Sequence, residues 1–304
     1  MTAILLALPG NDALAGALAR ELGWPLGSLD SRHFPDGETY MRIESECAER
    51  SVALVCTLDR PDEKMLPLLF AADALRELGA TRVGLVAPYL AYMRQDRRFQ
   101  RGEAVTSRSF SKIISCHFDW LATVDPHLHR LRALDEIYSI PTRVVHATPA
   151  LGTWVAENID RPLLIGPDSE SAQWVANVAT RADAPYLVLE KRRHGDRDVE
   201  VTVPNIGQHR DRTAVIVDDI ISSARTMAAA VAHIRAAGMA PPLCLGVHAV
   251  FASDAQRTLD AAGAGLVVTT DSIPHGSNRI PIAGLLAPAV RSLAVDEVSA
   301  KPVH

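Results

Sequence analysis

The sequence predicts an α/β protein of two tandem domains, each a mostly parallel sheet flanked by helices, and three observations carry that expectation. Short β-branched or leucine-rich runs alternate with longer amphipathic stretches, the pattern of βα units. The alternation runs twice along the chain. The 304 residues, 48% hydrophobic and 22% charged, suffice for two cores of ordinary size. In the first half AILLAL, VALVCTL, RVGLVAP and WLATVD read as strands. Between them NDALAGALARELG opens on the capping candidates Asn11 and Asp12 and stops at Gly23, while DEKMLPLLFAADALRELG carries acids in its first turn and stops at Gly79; both read as helices. In the second half PLLIGPD, PYLVLEK, TAVIVDD, LCLGVHAVF and GLVVTT take the strand role, separated by the helical ESAQWVANVATRA, ARTMAAAVAHIRAAG and SDAQRTLDAAG. Turn residues and lost periodicity in IYSIPTRVVHATPA put the boundary near 145–150, giving domains over 1–147 and 148–284. The C-terminal LLAPAVRSLAVDEV, within 285–304, could be a helix packing back on the first domain; periodicity leaves this open.

Composition narrows the function. No apolar run approaches the roughly 18 residues needed to span a bilayer. MTAILLALPGND has neither a basic flank nor a small-residue cleavage pattern, so it reads as a first strand, and the chain as cytoplasmic with no membrane partner. Cys47, Cys56, Cys116 and Cys244 are scattered without metal or redox spacing, as expected of core thiols in a reducing compartment. A formal net charge of -5 argues against a nucleic-acid partner, because phosphate backbones are held by surplus Lys and Arg. Any phosphate chemistry must be local.

AVIVDDIISSARTM, Ala214 to Met227, has the features for it. In a parallel α/β sheet, ligands sit beyond the carboxyl ends of strands, where loops enter helices whose first amides point outward. Asp218 and Asp219 fall at such an end. Ser222, Ser223, Ala224, Arg225 and Thr226 follow, offering hydroxyls, backbone N–H groups and a positive charge at a helix start. Adjacent acids beside a phosphate cradle suit the vicinal hydroxyls of a sugar, directly or through a metal, so the implied ligand is a sugar phosphate. The plainer alternative is a strand end with Ser222 or Ser223 as a helix cap.

This loop resembles the ribose 5-phosphate loop of the phosphoribosyltransferase fold, and the whole chain resembles the ribose-phosphate pyrophosphokinase family. FPDGETYMRI is similar to the family loop that reaches a neighbouring subunit's nucleotide base, with Phe34, Asp36 and Glu38 at the matching positions. APYLAYMRQDRRFQRGE is similar to its ATP-binding segment and sets Arg94 and Gln95 against ATP. TVDPHLH aligns His127 with a metal-linked histidine, and IGPDSES aligns Asp168 with a Mg²⁺-organising aspartate. LEKRRHGDRDVEV is similar to the start of the flexible catalytic loop, giving Lys191 and Arg193 as the catalytic pair. Alone, each segment has a plain reading as a basic loop, a core histidine, a helix cap, a charged hairpin or a turn. Their joint occurrence, in order, carries the resemblance.

The resemblance implies two phosphoribosyltransferase-like domains, Mg²⁺ as cofactor, and self-association as a dimer or hexamer. It also implies transfer of the diphosphoryl group of ATP to the anomeric hydroxyl of ribose 5-phosphate, with donor and acceptor meeting in line. Two other functions stay open: a non-catalytic regulatory homologue, and a phosphoribosyltransferase that consumes the activated sugar product. The loop also departs from the family pattern, since Ser222 stands where many members carry a third aspartate and Arg225 where they carry glycine. An arginine there requires a negative φ. Glu170 and Ser171 likewise replace small residues beside Asp168.

Overall fold

The computed structural model describes residues 2–168, 171–194, 198–202 and 206–295, with side chains outside 190–205. Two compact units result: residues up to Val145 together with those from Ala283 on, and His146–Ile282.

In the first unit β1 (Ala3–Ala7) leads through α1 (Asp12–Leu22) to a hairpin of β2 (Leu29–His33) and β3 (Thr39–Ile43). Then follow β4 (Ser51–Val55), α2 (Pro61–Glu77), β5 (Arg82–Ala87), α3 (Thr106–His117), β6 (Trp120–Val124) and β7 (Thr142–Val145). Strands β1, β4, β5, β6 and β7 pair in that order, all parallel. Every residue of β4 and β6 is buried, as parallel strands covered on both faces require. Asn11 does not cap α1 with its side chain. It is buried, and its amide instead donates to Leu8 O at 3.0 Å and accepts the Thr57 N–H at 2.7 Å, tying the end of β1 to the end of β4. The four residues of β7 lie where the sequence loses its periodicity, between Pro141 and the start of the next helix. So short an element shows no period and is defined by its pairing with β6.

The second unit begins with α4 (Thr148–Asn158) and continues through β8 (Pro162–Gly166), α5 (Ala172–Arg181), β9 (Tyr186–Val188), β10 (Glu190–His194) and β11 (Asp198–Thr202). It then runs through β12 (Thr213–Ile221), α6 (Arg225–Ala236), β13 (Leu243–Ala249), α7 (Ala255–Ala262), β14 (Val267–Thr270) and β15 (Asn278–Ile280). Six parallel strands order as β15, β14, β13, β12, β8, β9, while β10 and β11 form a separate antiparallel hairpin. A core of Leu163, Ile165, Ile216, Val231, Ile234 and Leu259 joins sheet to helices. Gly246 pairs with Asp218 on the adjacent strand, and a Cβ there would come within 2.8 Å of the Ile221 side chain, so glycine keeps the strand ends close. Beyond Ile282 the chain returns to the first unit as α8 (Ala283–Val295), packed on α1, β6 and β7; 296–304 of the expected C-terminal helix lie outside the described residues. No described helix is long and apolar enough to cross a membrane.

Candidate active site

In the second unit the acidic pair lies inside β12 rather than after it, because β12 continues along β13 to Ile221↔Ala249 while its pairing with β8 ends at Ile216↔Ile165. β12 therefore outruns β8. Counting on from that last pair sets Asp218 and Asp219 level with Pro167 and Asp168, which brings three carboxylates together from two neighbouring strands. The Asp219 N–H donates to Asp218 Oδ1 at 3.0 Å. Burial, then the adjacent Asp219 and Asp168 carboxylates, push Asp218 up to about 8. Asp168 Oδ1 also accepts the Ser171 N–H at 3.2 Å, and Ser171 Oγ donates to the Asp168 carbonyl at 2.6 Å, so Asp168 braces the entry to α5 as well as facing the pair. Glu170 lies outside the described residues.

The loop after β12 forms a cradle. Ala224 takes left-handed backbone, φ 57° and ψ 7°, and its carbonyl accepts the Ala228 N–H at 2.8 Å, so α6 starts at once with Arg225. Arg225 is helical and absent from the positive-φ residues, which is the condition an arginine at that position must meet. The left-handed step falls on Ala224 instead. The first amides of a helix have no intrahelical acceptor, so those of Arg225, Thr226 and Met227 present donors and the positive end of the α6 dipole. Ser222, Ser223, Arg225 and Thr226 all reach solvent, and the Ser222 carbonyl is held by the Ala252 N–H at 3.1 Å.

In the first unit Phe34, Asp36 and Glu38 form the exposed tip of the β2–β3 hairpin. The Phe34 N–H donates to Glu38 O at 2.8 Å, Gly37 has φ +93°, and the Glu38 N–H donates to Asp36 Oδ1 at 3.2 Å, a self-closed turn. Phe34 is 41% exposed, with Arg32 5.4 Å from its ring centroid. Arg94 and Gln95 lie in the loop after β5, Arg94 exposed and Gln95 half-buried; the Gln95 carbonyl accepts the Ser107 N–H at 3.4 Å. His127 lies in the loop after β6, its ring edge-on to His129 at 6.0 Å. These two loops emerge from the carboxyl ends of adjacent parallel strands.

The structure thus brings together Asp218, Asp219, Asp168 and the α6 cradle. His127 and Asp168 belong to different units. Lys191 and Arg193 sit two residues apart on β10, opposite Val201 and Val199 of β11, and their side chains lie outside the described residues. Among the described residues no group of three or more His, Cys, Asp or Glu is gathered to hold a metal directly. What the acidic site offers a cation is a cluster of carboxylate oxygens, the hard donors that Mg²⁺ takes.

Sequence reasoning missed one pairing. Asp96, inside the basic segment, has a side chain only 3% exposed and receives Arg130 Nη1 at 2.9 Å. The partners are 34 residues apart, so no local spacing signals the bond.

Two family models match the chain: the N-terminal domain of ribose phosphate pyrophosphokinase over residues 3–116, and the phosphoribosyl transferase domain over 133–277. The ribose-phosphate pyrophosphokinase of Methanopyrus kandleri is 33% identical over 96% of this chain and 99% of its own. That of Methanobrevibacter smithii is 31% identical over 92% and 97%. Among solved structures, phosphoribosylpyrophosphate synthetase from Mycobacterium smegmatis superposes with a TM-score of 0.83 over 96% of this chain and 99% of its own at 22% identity, a likeness of fold. From the full-length match to these relatives, the chain belongs to the ribose-phosphate pyrophosphokinase family.

Proposed function

We infer that the protein is a ribose-phosphate diphosphokinase: it transfers the β,γ-diphosphoryl group of ATP to the anomeric hydroxyl of ribose 5-phosphate, giving 5-phosphoribosyl 1-diphosphate and AMP. One observation supports this most directly. Three carboxylates stand at the carboxyl edge of a parallel sheet, next to the open start of a helix, so one site offers acceptors for sugar hydroxyls and donors for a phosphate.

The 5-phosphate takes the amides of Arg225, Thr226 and Met227, the hydroxyls of Ser222, Ser223 and Thr226, and the Arg225 guanidinium. Asp218 and Asp219 accept hydrogen bonds from the ribose hydroxyls, which orients the anomeric oxygen. That oxygen attacks the β-phosphorus, the bond from the β-phosphorus to the α,β-bridging oxygen breaks, AMP leaves, and the hydroxyl proton passes to solvent. Phosphoryl transfer needs alignment and charge neutralisation more than covalent help from side chains. Arg94 and Gln95 hold ATP, and Phe34, Asp36 and Glu38 present its base from a neighbouring copy. Lys191 and Arg193 close over the transferring phosphates. Asp168 and His127 are the residues that would hold Mg²⁺, directly or through water, and the ion would supply positive charge for the phosphate oxygens.

Mass spectrometry of the products from purified protein, Mg²⁺, ATP and ribose 5-phosphate tests the reading. AMP and the sugar diphosphate should appear in equal amounts, and Lys191→Ala should lower turnover by roughly 10³ or more. Turnover within a few-fold of wild type removes Lys191 from the role. Release of neither product across metals and nucleotides overturns the activity itself.

A further inference from the structure

The first unit carries a second arrangement, resting on the ATP reading above. The loop after β5 contains Arg97 and Phe99, and the loop after β6 contains Arg130. Phe99 is 57% exposed, with the Arg97 guanidinium 4.9 Å and the Arg130 guanidinium 5.8 Å from its ring centroid. Two guanidinium groups thus converge on one solvent-facing aromatic ring, each within cation–π reach of it. The ring's position is built: Glu103 Oε2 accepts the Phe99 N–H at 2.7 Å and the Gln100 N–H at 3.1 Å, and the Glu103 carbonyl accepts Arg98 Nε at 2.9 Å.

Asp96 holds the two loops together. Its buried carboxylate takes one N–H of Arg130 through Oδ1, and Oδ2 is buried with no hydrogen-bond partner among the described residues. Arg130 has five N–H donors, one of them engaged here, and its side chain is partly exposed. A half-satisfied buried carboxylate is an expensive way to hold a surface arginine. It is reasonable only if the placement of that arginine matters.

We propose that Asp96 is a positioning residue of the nucleotide site: by fixing Arg130 it locks the loop after β6 to the loop after β5, so that the free donors of Arg130 and Arg97 meet the triphosphate beside Phe99. The ligand class is a nucleoside triphosphate, recognised by its charge and by the forked geometry of guanidinium on phosphate. Arg130 touches the ligand; Asp96 acts through Arg130.

Steady-state kinetics of Asp96→Asn, Arg130→Gln and Arg130→Lys tests this, with each substrate varied in turn. The expected result is a KM for ATP raised about tenfold or more in Asp96→Asn and Arg130→Gln, with the KM for ribose 5-phosphate within twofold of wild type. The Asp96→Asn/Arg130→Gln double variant should be no worse than the worse single one, because both remove one coupled unit. Arg130→Lys, which keeps charge and loses the fork, should fall between. An unchanged KM for ATP, a rise in both KM values together, or additive losses overturns the proposal. Should Asp96→Asn fail to fold, the two Arg130 variants decide by the same measure. Wild type that makes no AMP refutes the function reading instead, and binding of a non-hydrolysable ATP analogue to wild type and Arg130→Gln then decides the proposal: equal affinities overturn it.

Discussion

Asp218 is the residue whose chemistry depends most on its surroundings. Burial and the neighbouring Asp219 and Asp168 raise its pKa to about 8, against about 3.9 for an unfolded aspartate. Between those values the native state binds more protons than the unfolded chain, so stability falls as pH rises through the window from about 4 to about 8. Asp218→Asn removes that cost. In ligand-free protein the variant should gain denaturant midpoint over wild type, little at pH 4 and most above pH 8, while product formation collapses. A variant whose gain does not grow with pH would show that neither burial nor the neighbouring carboxylates raise the Asp218 pKa in the native state. A buried carboxylate crowded by two others lowers stability at neutral pH, a trade common at functional sites. The adjacent Asp218 and Asp219 are visible in the sequence because they are neighbours. Asp168 joins them only through parallel register, 50 residues upstream of Asp218.

At the scale of elements, the step from β12 into α6 turns on Ala224. Left-handed backbone costs a residue with a Cβ roughly 1–2 kcal/mol, and Ala224 is buried, so bulk there is doubly unwelcome. Ala224→Gly relieves the strain and adds freedom to the unfolded chain, for a net change between zero and about 1 kcal/mol of stabilisation. Ala224→Val should destabilise by about 2 kcal/mol or more and raise the KM for ribose 5-phosphate by displacing the first amides of α6. Denaturant unfolding and substrate titration of the two variants check both signs. The sequence shows where the helix begins, since small polar residues stand before an alanine-rich stretch. It does not show that Ala224, rather than Arg225, adopts the left-handed conformation, because that depends on how β12 must turn to lay α6 on the sheet. Short elements were also illegible: β7 and β15 have four and three residues, too few for a period, and are held as strands by β6 and β14.

For the whole molecule, the hairpin tip carries the consequence. Phe34, Asp36 and Glu38 are exposed on a self-closed turn, and Phe34 offers an aromatic face with Arg32 beside it. If this tip supplies the nucleotide base contact to a neighbouring copy, activity per chain falls on dilution as assemblies dissociate. Phe34→Ala then raises the KM for ATP without altering the sedimentation of the concentrated protein. Analytical ultracentrifugation at assay concentration checks this; a fully active monomer removes the cross-subunit role of Phe34.

The sequence by itself determined the fold class, the order of the long strands and helices, and the segments that carry the family resemblance, because periodicity, turn residues and short motifs are properties of neighbours along the chain. Only the tertiary structure decided that β12 outruns β8 so that Asp168 meets Asp218 and Asp219, that Asn11 ties two strand ends instead of capping α1, and that Asp96 grips Arg130. Each of these is a contact between residues far apart in sequence, and its free energy depends on burial and charge created only when the sheets and loops assemble.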